Sequence, residues 1–280
     1  MSKSEPVAGY TSTGHRLSND RFIDAHYAVC RESYEAMLRA VGLQPGWQVL
    51  DAGCGSGSFL PLMAELIGPR GSIAAFDLAP ENIARVNTLA SKVVVPIVTQ
   101  IGSVTKLPYA DHSFDAIWNA NVTQYLTDDE LHRMLNEFIR VLKPGGVVAI
   151  KETDLTTIQF YPLDQFVMWR HMEKAVTFQP GFMRVVNLPR WLSNAGLVDV
   201  TQATFLEEIR APLPASVHAF MEGSLRFFAG EAERLGLPES DLAQWRRCQD
   251  PQAPDNPVNH PDFYYREGMT LVIGKKAAAC

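Results

Sequence analysis

Short apolar runs alternate with amphipathic segments over the first half of the chain. The apolar runs occupy residues 47–50, 72–77, 93–101, 114–118 and 147–150. Strands of a parallel sheet, which are buried on both faces, have continuous apolar runs of this kind. Because amphipathic segments separate the runs, the pattern predicts an α/β fold in which helices cover both faces of a mainly parallel sheet.

Apolar side chains recur at three- and four-residue steps between the predicted strands. These steps put side chains on one face of a helix, and they predict helices over residues 19–41 and 59–67 and from Pro80 onward. A capping box at residues 127–130 predicts the start of another helix, which the Lys-Pro-Gly-Gly turn at 143–146 ends.

The periodicity weakens in the second half of the chain. It predicts helices near residues 162–176, 188–195 and 214–248, and strands at 198–205 and 269–273. Four prolines between residues 249 and 262 predict an extended connection.

Composition narrows the classes of partner. With 280 residues, 46% of them hydrophobic, the chain can bury a substantial core. The formal net charge of -6 and the absence of any basic run argue against nucleic acid as a partner. No run is long and apolar enough to span a membrane, and residues 1–6 lack the apolar segment of a signal peptide. The four cysteines are far apart with no Cys-x-x-Cys pair, so we expect neither disulfides nor a metal site, and a cytoplasmic location.

The first predicted strand leads into the glycine-rich turn Asp51-Ala52-Gly53-Cys54-Gly55-Ser56-Gly57. Glycines in such a turn let the backbone approach a ligand closely. A dinucleotide fingerprint requires Gly-x-Gly-x-x-Gly, but Ser58 occupies the position of its third glycine. Asp77 ends the second predicted strand, 20 residues after Gly57, where its carboxylate can accept hydrogen bonds from ribose hydroxyls.

This turn resembles motif I of class I methyltransferases that use S-adenosylmethionine (SAM). The segments 107–115, 141–146 and 188–197 are similar to later motifs of the same family. The resemblance covers residues 43–151, with 188–206 and 269–275 more weakly, and favours the small-molecule branch that includes ubiquinone and menaquinone C-methyltransferases. It implies a Rossmann-like sheet of parallel strands with an antiparallel last strand, a helical cap or lid, SAM as cofactor and S-adenosylhomocysteine (SAH) as product.

The resemblance also divides the chain into segments. We expect an N-terminal arm and cap helix over 1–42, a SAM-binding core over 43–160, a lid insertion over 161–187, a core continuation over 188–206, a helical lid and extended connection over 207–268, and the last strand and tail over 269–280. The aligned motifs imply a set of cofactor-binding residues. These are Asp51, Gly53, Gly55, Gly57, Asp77, Leu78, Ser103, Val104, Asn119, Asn121 and Gln124.

Individual roles follow from the same resemblance. Backbone atoms of Gly53 and Asn119 would hold the methionine ammonium, Asp77 the ribose, and Leu78 one face of the adenine. Asn121, with Val122 and Gln124, would face the acceptor. The family often has Asp after Gly in the adenine loop, whereas Ser103 and Val104 follow Gly102 here and offer a hydroxyl and backbone groups.

Methyl transfer from a sulfonium is a direct displacement, so the main task of the protein is to hold the nucleophile in line. A general base is needed only for an acceptor that loses a proton. His26, His171 and Glu173 are the candidate bases, although each could instead be a structural or surface residue. His218 and His260 are weaker candidates.

Aromatic residues outside the predicted sheet form a possible acceptor pocket, or they pack helices together. We place Tyr27, Trp169, Phe178 and Tyr265 in that pocket. The predicted function is methylation of a small, hydrophobic or aromatic metabolite, including those of secondary metabolism. The alternatives are a nicotinamide-dependent oxidoreductase and a SAM-binding member of the fold that does not methylate. The acceptor atom, the use of a base and the formation of a homo-oligomer stay open.

Overall fold

The computed structural model describes residues 11–15 and 19–278. Its sheet has seven strands: β1 (Gln48–Ala52), β2 (Ser72–Asp77), β3 (Ile97–Ile101), β4 (Phe114–Ala120), β5 (Leu142–Tyr161), β6 (Val198–Arg210) and β7 (Tyr264–Lys275). The spatial order is β3-β2-β1-β4-β5-β7-β6. Strands β1 to β5 are parallel, and β7 is antiparallel to both β5 and β6. The predicted Rossmann-like sheet with an antiparallel last strand is confirmed.

Nine helices pack around this sheet in the described residues: α1 (Asp20–Val29), α2 (Arg31–Ala40), α3 (Leu60–Ile67), α4 (Pro80–Ala90), α5 (Asp128–Val141), α6 (Val167–Phe178), α7 (Leu188–Asn194), α8 (Ala215–Leu235) and α9 (Glu239–Arg246). Successive residues of β1 point to opposite faces. Val49 packs with α2, α3 and α4 in one apolar cluster, whereas Leu50 packs with α5 and α7 in a second. Both faces of the sheet are therefore covered, as the apolar runs predict.

Helix α5 begins at the predicted capping box. The backbone N–H of Glu130 donates to Thr127 Oγ1 over 3.2 Å, and the backbone N–H of Thr127 donates to Glu130 Oε2 over 2.8 Å. The buried stripe of α5 includes Leu131 and Phe138. Leu142, which the pattern assigned to this stripe, is instead the first residue of β5.

The predicted helix over 19–41 is wrong as a single element. Cys30 departs from helical geometry, with φ -98° and ψ 20°, and separates α1 from α2. In a straight helix, residues eight apart are separated by about 12 Å along the axis. The break instead brings the side chains of His26 and Tyr34 to within 3.2 Å of each other.

Three strands are longer than their apolar runs. Strand β5 continues from the predicted 147–150 to Tyr161, β6 reaches Arg210, and β7 begins at Tyr264 rather than Met269. The pairing of β5 with β7 is interrupted between Asp154 and Gln159, which explains why this stretch of β5 lacks a regular alternation. The extensions pack with α6, α8 and α9 in a third apolar cluster, which we call the cap cluster.

Part of the predicted arm lies outside the described residues, namely 1–10 and 16–18, as do the last two residues of the tail. Across the described ranges, no helix has both the length and the apolar character needed to cross a membrane.

Candidate functional site

A cavity of about 220 Å³ opens at the carboxyl ends of β1, β2 and β4. Ligands of open α/β sheets bind at this edge. One end of the cavity, the polar half, is lined by Gly53, Gly55, Asp77, Leu78, Ala79, Asn82, Gly102, Ser103 and Val104. The other end, the aromatic half, is lined by Phe22, His26, Tyr34, Leu155, Ile158, Phe220, Phe227, Phe228, Tyr265 and Glu267. The cavity therefore presents two chemically different compartments.

The glycine-rich turn forms the floor of the polar half. The backbone N–H groups of Gly53 and Cys54 donate to the carbonyl of Phe76 over 2.7 and 3.0 Å, which fixes the turn against β2. Gly53 has φ +82°, and a Cβ atom there would collide with Val122. Position 53 thus requires glycine on two grounds.

Asp77 is held rigidly at the end of β2. Its Oδ2 accepts from the backbone N–H of Gly55 over 2.8 Å, and its Oδ1 accepts from the backbone N–H of Ala79 over 2.9 Å and from Asn82 Nδ2 over 3.1 Å. The carboxylate lines the cavity beside Leu78, whose side chain is exposed. Gln124, Ser103 and Val104 also line the cavity.

Asp51 and Asn119 lie beneath the turn and are almost completely buried. Asn119 Nδ2 donates to the carbonyl of Ala52 over 2.6 Å. Within the described part of the chain, Asp51 Oδ2 and Asn119 Oδ1 have no hydrogen-bond partner. Burial, with the neighbouring charge of Asp77, raises the pKa of Asp51 to about 8. Two buried polar atoms therefore lack hydrogen-bond partners beneath the glycine-rich turn, where each costs roughly 1–3 kcal/mol.

The described part of the N-terminal arm lies over this half of the cavity. The backbone N–H and the hydroxyl of Ser12 donate to the Glu81 carboxylate over 2.5 and 2.8 Å. The rings of His15 and Tyr125 lie 4.7 Å apart, and both residues line the cavity. Residues 11–15 thus contribute to the cavity wall.

The aromatic half contains only two of the four residues predicted for the acceptor. Tyr27 and Tyr265 line the cavity. Trp169 and Phe178 do not, because they lie on the outer face of α6 with 66% and 64% of their surface exposed. Aromatic character predicts neither which face of a helix a residue occupies nor what that face contacts.

The three candidate bases are also separated. His26 lines the cavity, where its ring stacks on Phe220 at 5.4 Å between centroids. His171 is buried in the cap cluster instead, with its ring edge against Phe228 and Trp245, and burial lowers its pKa to about 4. Glu173 is exposed on α6, outside the cavity wall.

The weaker candidates lie elsewhere too. His218 Nε2 is 3.2 Å from Asn259 Oδ1, and the ring of His260 packs against Tyr161. Neither histidine lines the cavity. Of the five, the structure brings only His26 to this site.

Sequence reasoning missed the site role of four polar residues around His26. His26 Nε2 lies 2.7 Å from Glu267 Oε1, and His26 Nδ1 lies 3.2 Å from the hydroxyl of Tyr34. Lys151 Nζ donates to that hydroxyl over 3.1 Å. The thiol of Cys30 donates to Glu267 Oε1 over 3.1 Å. A buried hydrogen-bonded chain therefore runs from Glu267 through His26 and Tyr34 to Lys151.

The electrostatics of this chain are those of buried, paired charges. Burial alone would raise the pKa of Glu267, but His26 and the Lys151 ammonium lower it to about 2. Burial lowers the pKa of Lys151 to about 8, against the opposing effect of Glu267. No signal in the sequence marks these residues, because Glu267 and His26 are 241 positions apart and each lies within an ordinary strand or helix.

Known proteins resemble parts of the chain. A family model described as a methyltransferase domain matches residues 49–146. An uncharacterized methyltransferase of Schizosaccharomyces pombe is 34% identical over 122 residues, which are 41% of this chain and 43% of that protein. A demethylmenaquinone methyltransferase of Staphylococcus aureus is 30% identical over 129 residues, or 45% of this chain and 51% of that protein. The chain thus spans about half the length of the curated relatives that it matches.

Among solved structures, the YcgJ protein of Bacillus subtilis has a similar fold. The TM-score is 0.56 at 17% identity, and the match covers 89% of this chain and 100% of that one. The likeness therefore extends over the sheet and its helices, beyond residues 49–146.

Proposed function

We propose that the chain is a class I methyltransferase that transfers the methyl group of SAM to a small acceptor with an apolar or aromatic body; a methyltransferase-domain model matches residues 49–146. The observation that carries the proposal is the division of one cavity into a polar half, built on the glycine-rich turn, and an aromatic half beside it. A transferase needs this arrangement, since its donor and acceptor must meet inside a shared space.

The residues of the polar half fit SAM. Asp77 offers carboxylate oxygens at the cavity wall, which suit ribose hydroxyls. The carboxyl of Asp51 lies buried beneath the turn, outside the cavity wall, and in its ionised form it would attract the ammonium group of SAM. Leu78 offers an apolar surface for one face of the adenine.

The aromatic half fits an apolar acceptor. Phe22 and Phe220 lie 5.6 Å apart between ring centroids, and the neighbouring rings of Phe227 and Phe228 extend the same wall. Ligand pockets of this kind combine apolar walls with a few placed polar groups, here His26, Tyr34 and Glu267. The acceptor would therefore bury a ring or chain among the phenylalanines.

The contribution of the protein to methyl transfer is mostly positional. When bound, SAM supplies an electrophilic methyl group on a sulfonium. The loop that begins at Asn121 connects the two halves, because Val122 packs against Gly53 while Asn121 Oδ1 accepts from Lys151 Nζ over 3.0 Å. These two contacts link the wall of the aromatic half to the glycine-rich turn. The aromatic faces also favour a cation beside them.

Ligand-induced thermal stabilisation tests the proposal against a nicotinamide enzyme. SAM and SAH should each raise the melting temperature, whereas NAD and NADP should leave it unchanged, because only ligands that bind the folded state shift it. Stabilisation by NAD and not by SAM would contradict the proposal. A member of the fold that binds SAM without transferring its methyl group would also be stabilised by SAM. Such a protein would release no SAH when it is incubated with SAM and an extract that contains hydrophobic acceptors.

A further inference from the structure

The hydrogen-bonded chain Glu267–His26–Tyr34–Lys151, hereafter the relay, passes along the wall of the aromatic half. We propose that the relay removes a proton from a hydroxyl group of the acceptor, so that the acceptor is a phenol or an enol. This inference rests on the methyltransferase function proposed above. It adds the chemical class of the acceptor and the residues that activate it.

The direction of each hydrogen bond follows from the groups present. The Glu267 carboxylate can only accept, so His26 Nε2 carries a proton and donates it over 2.7 Å. In a neutral imidazole, Nδ1 is then an acceptor, and the Tyr34 hydroxyl donates to it over 3.2 Å. These assignments leave the Tyr34 oxygen as an acceptor, which takes the hydrogen bond from Lys151, and Tyr34 is one of the residues that line the cavity.

Lys151 is oriented by three acceptors. Its Nζ donates to the Tyr34 hydroxyl over 3.1 Å, to Asn121 Oδ1 over 3.0 Å and to Thr153 Oγ1 over 3.2 Å. Asn121 has φ +57°, an uncommon conformation for a residue other than glycine, and its side chain also accepts from the backbone N–H of Thr153.

The relay allows a balanced proton transfer. The acceptor hydroxyl would give its proton to the Tyr34 oxygen while the proton of Tyr34 moves to His26 Nδ1. The imidazolium that forms is stabilised by the Glu267 carboxylate, so no unpaired charge is buried. The oxygen or the adjacent ring carbon of the acceptor bonds to the methyl carbon as the carbon–sulfur bond breaks, and the electron pair of that bond stays on sulfur in SAH.

The surroundings favour a neutral acceptor. The titratable groups packed around His26 are Cys30, Tyr34, Lys151, Glu207, Tyr265 and Glu267. The Glu267 carboxylate accepts from His26 Nε2 and lies near the Lys151 ammonium, which itself has three acceptors. A carboxylate on the acceptor would find no free cation in the described wall of this half, and an ammonium would compete with His26 and Lys151 for the Glu267 carboxylate. A phenol leaves all of these pairs intact.

The probe for this proposal is 4-nitrophenol, whose phenolate is yellow and whose phenol is not. In the complex of the protein with SAH, the ratio of phenolate to phenol for the bound probe should exceed that of the free probe at the same pH by at least about tenfold, or one pKa unit. Tyr34→Phe and His26→Gln should abolish this increase. Glu267→Gln should reduce it, because Glu267 acts through His26 as a positioning residue.

Matched variants separate the relay from general damage. His171→Leu removes a buried histidine that does not line the cavity, and Tyr161→Phe removes a hydroxyl outside it; both should keep the full increase. Affinity for SAH, measured by calorimetry, should be unchanged in all five variants. If SAH fails to bind the unmodified protein, the proposed function fails. If SAH binds the unmodified protein but not a variant, the melting temperature of that variant shows whether it has lost its fold.

Three outcomes would overturn the proposal. The first is a probe that does not bind to the SAH complex, and the second is a bound probe that stays phenolic. The third is a metal ion at His26, Cys30 and Glu267, whose ligand atoms lie within 4.8 Å of one another. If the phenolate forms only when Zn²⁺ is added and disappears with a chelator, a metal and not the relay activates the hydroxyl.

Discussion

His26 Nδ1 and the Tyr34 hydroxyl lie 3.2 Å apart, although the two residues are eight positions apart in the chain and lie on different helices. The break at Cys30 makes the contact possible, and the same cysteine donates its thiol hydrogen to Glu267. One local departure from helical geometry therefore assembles the polar part of the aromatic half.

Asp77→Ala should weaken SAM binding at least about tenfold, or about 1.4 kcal/mol. The substitution removes the carboxylate at the cavity wall and the acceptors that fix Gly55 and Ala79. Calorimetry checks the affinity and circular dichroism checks that the fold persists. Asp111→Ala, at an exposed carboxylate paired with Arg140, is the control and should leave the affinity unchanged. Equal affinities for the two variants would show that Asp77 does not hold the cofactor.

Gly53→Ala should lose SAM binding and destabilise the fold by roughly 1–3 kcal/mol, because the new Cβ collides with Val122 at a positive φ. Gly145→Ala also has a positive φ, of +79°, but open space around it, so it should cost less and bind SAM normally. Adding Val122→Ala to Gly53→Ala should recover part of the lost stability in urea unfolding. No recovery in the double variant would contradict the packing argument.

SAM binding should release close to one proton at about pH 6.5. The pKa of Asp51 is raised to about 8 by burial and by Asp77, so the free protein holds a proton there. A bound ammonium group stabilises the ionised carboxylate and displaces that proton. Calorimetry in two buffers of different ionisation enthalpy measures the release, which Asp51→Asn should abolish and Asp199→Asn, at an exposed strand position, should retain. Binding of SAM without proton release by the unmodified protein would contradict this assignment.

His171→Leu should reduce the acid sensitivity of the fold without affecting SAM. Burial lowers the pKa of His171 from 6.5 to about 4. The contribution of the neutral, buried side chain to the free energy of unfolding is therefore complete above about pH 6.5, and it is lost as the pH falls toward 4 because the unfolded chain takes up the proton first. That loss amounts to about 3 kcal/mol. Urea unfolding at about pH 7 and pH 4.5 should show a smaller difference for the variant than for the unmodified protein. Identical differences would mean that His171 does not titrate with the fold.

The sequence predicts the polar half of the cavity better than the aromatic half. The glycine-rich turn and Asp77 are encoded by spacing within one short segment, and the strand edge that carries them follows from the apolar runs. Gly57 and Asp51 lie in this turn but not in the cavity wall, since spacing alone does not tell a wall residue from the residue beneath it. The assignment of individual residues to SAM stays a prediction until binding is measured.

The aromatic half depends on pairings between distant segments. Lys151 and Glu267 lie on neighbouring strands because β5 and β7 pair antiparallel, with Lys151 opposite Leu271, in a register that periodicity does not specify. Tyr34 belongs to the apolar stripe of a helix, and nothing in the residues around Cys30 marks the break before it. Trp169 and Phe178 are residues that the sequence placed in the pocket and the structure does not. These two aromatic side chains of α6 face outward, while the methionines of α6 face the cap cluster.

The most direct test of the proposed function is transfer of an isotope-labelled methyl group from SAM. The purified chain is incubated with labelled SAM and a set of phenols with apolar rings, and SAH and solvent-extractable label are counted together. Equal amounts of SAH and labelled product are expected, both lost in Asp77→Ala and retained in Asp111→Ala. Release of SAH without labelled product, or labelled product that Asp77→Ala forms as fast as the unmodified protein, would contradict the proposed function.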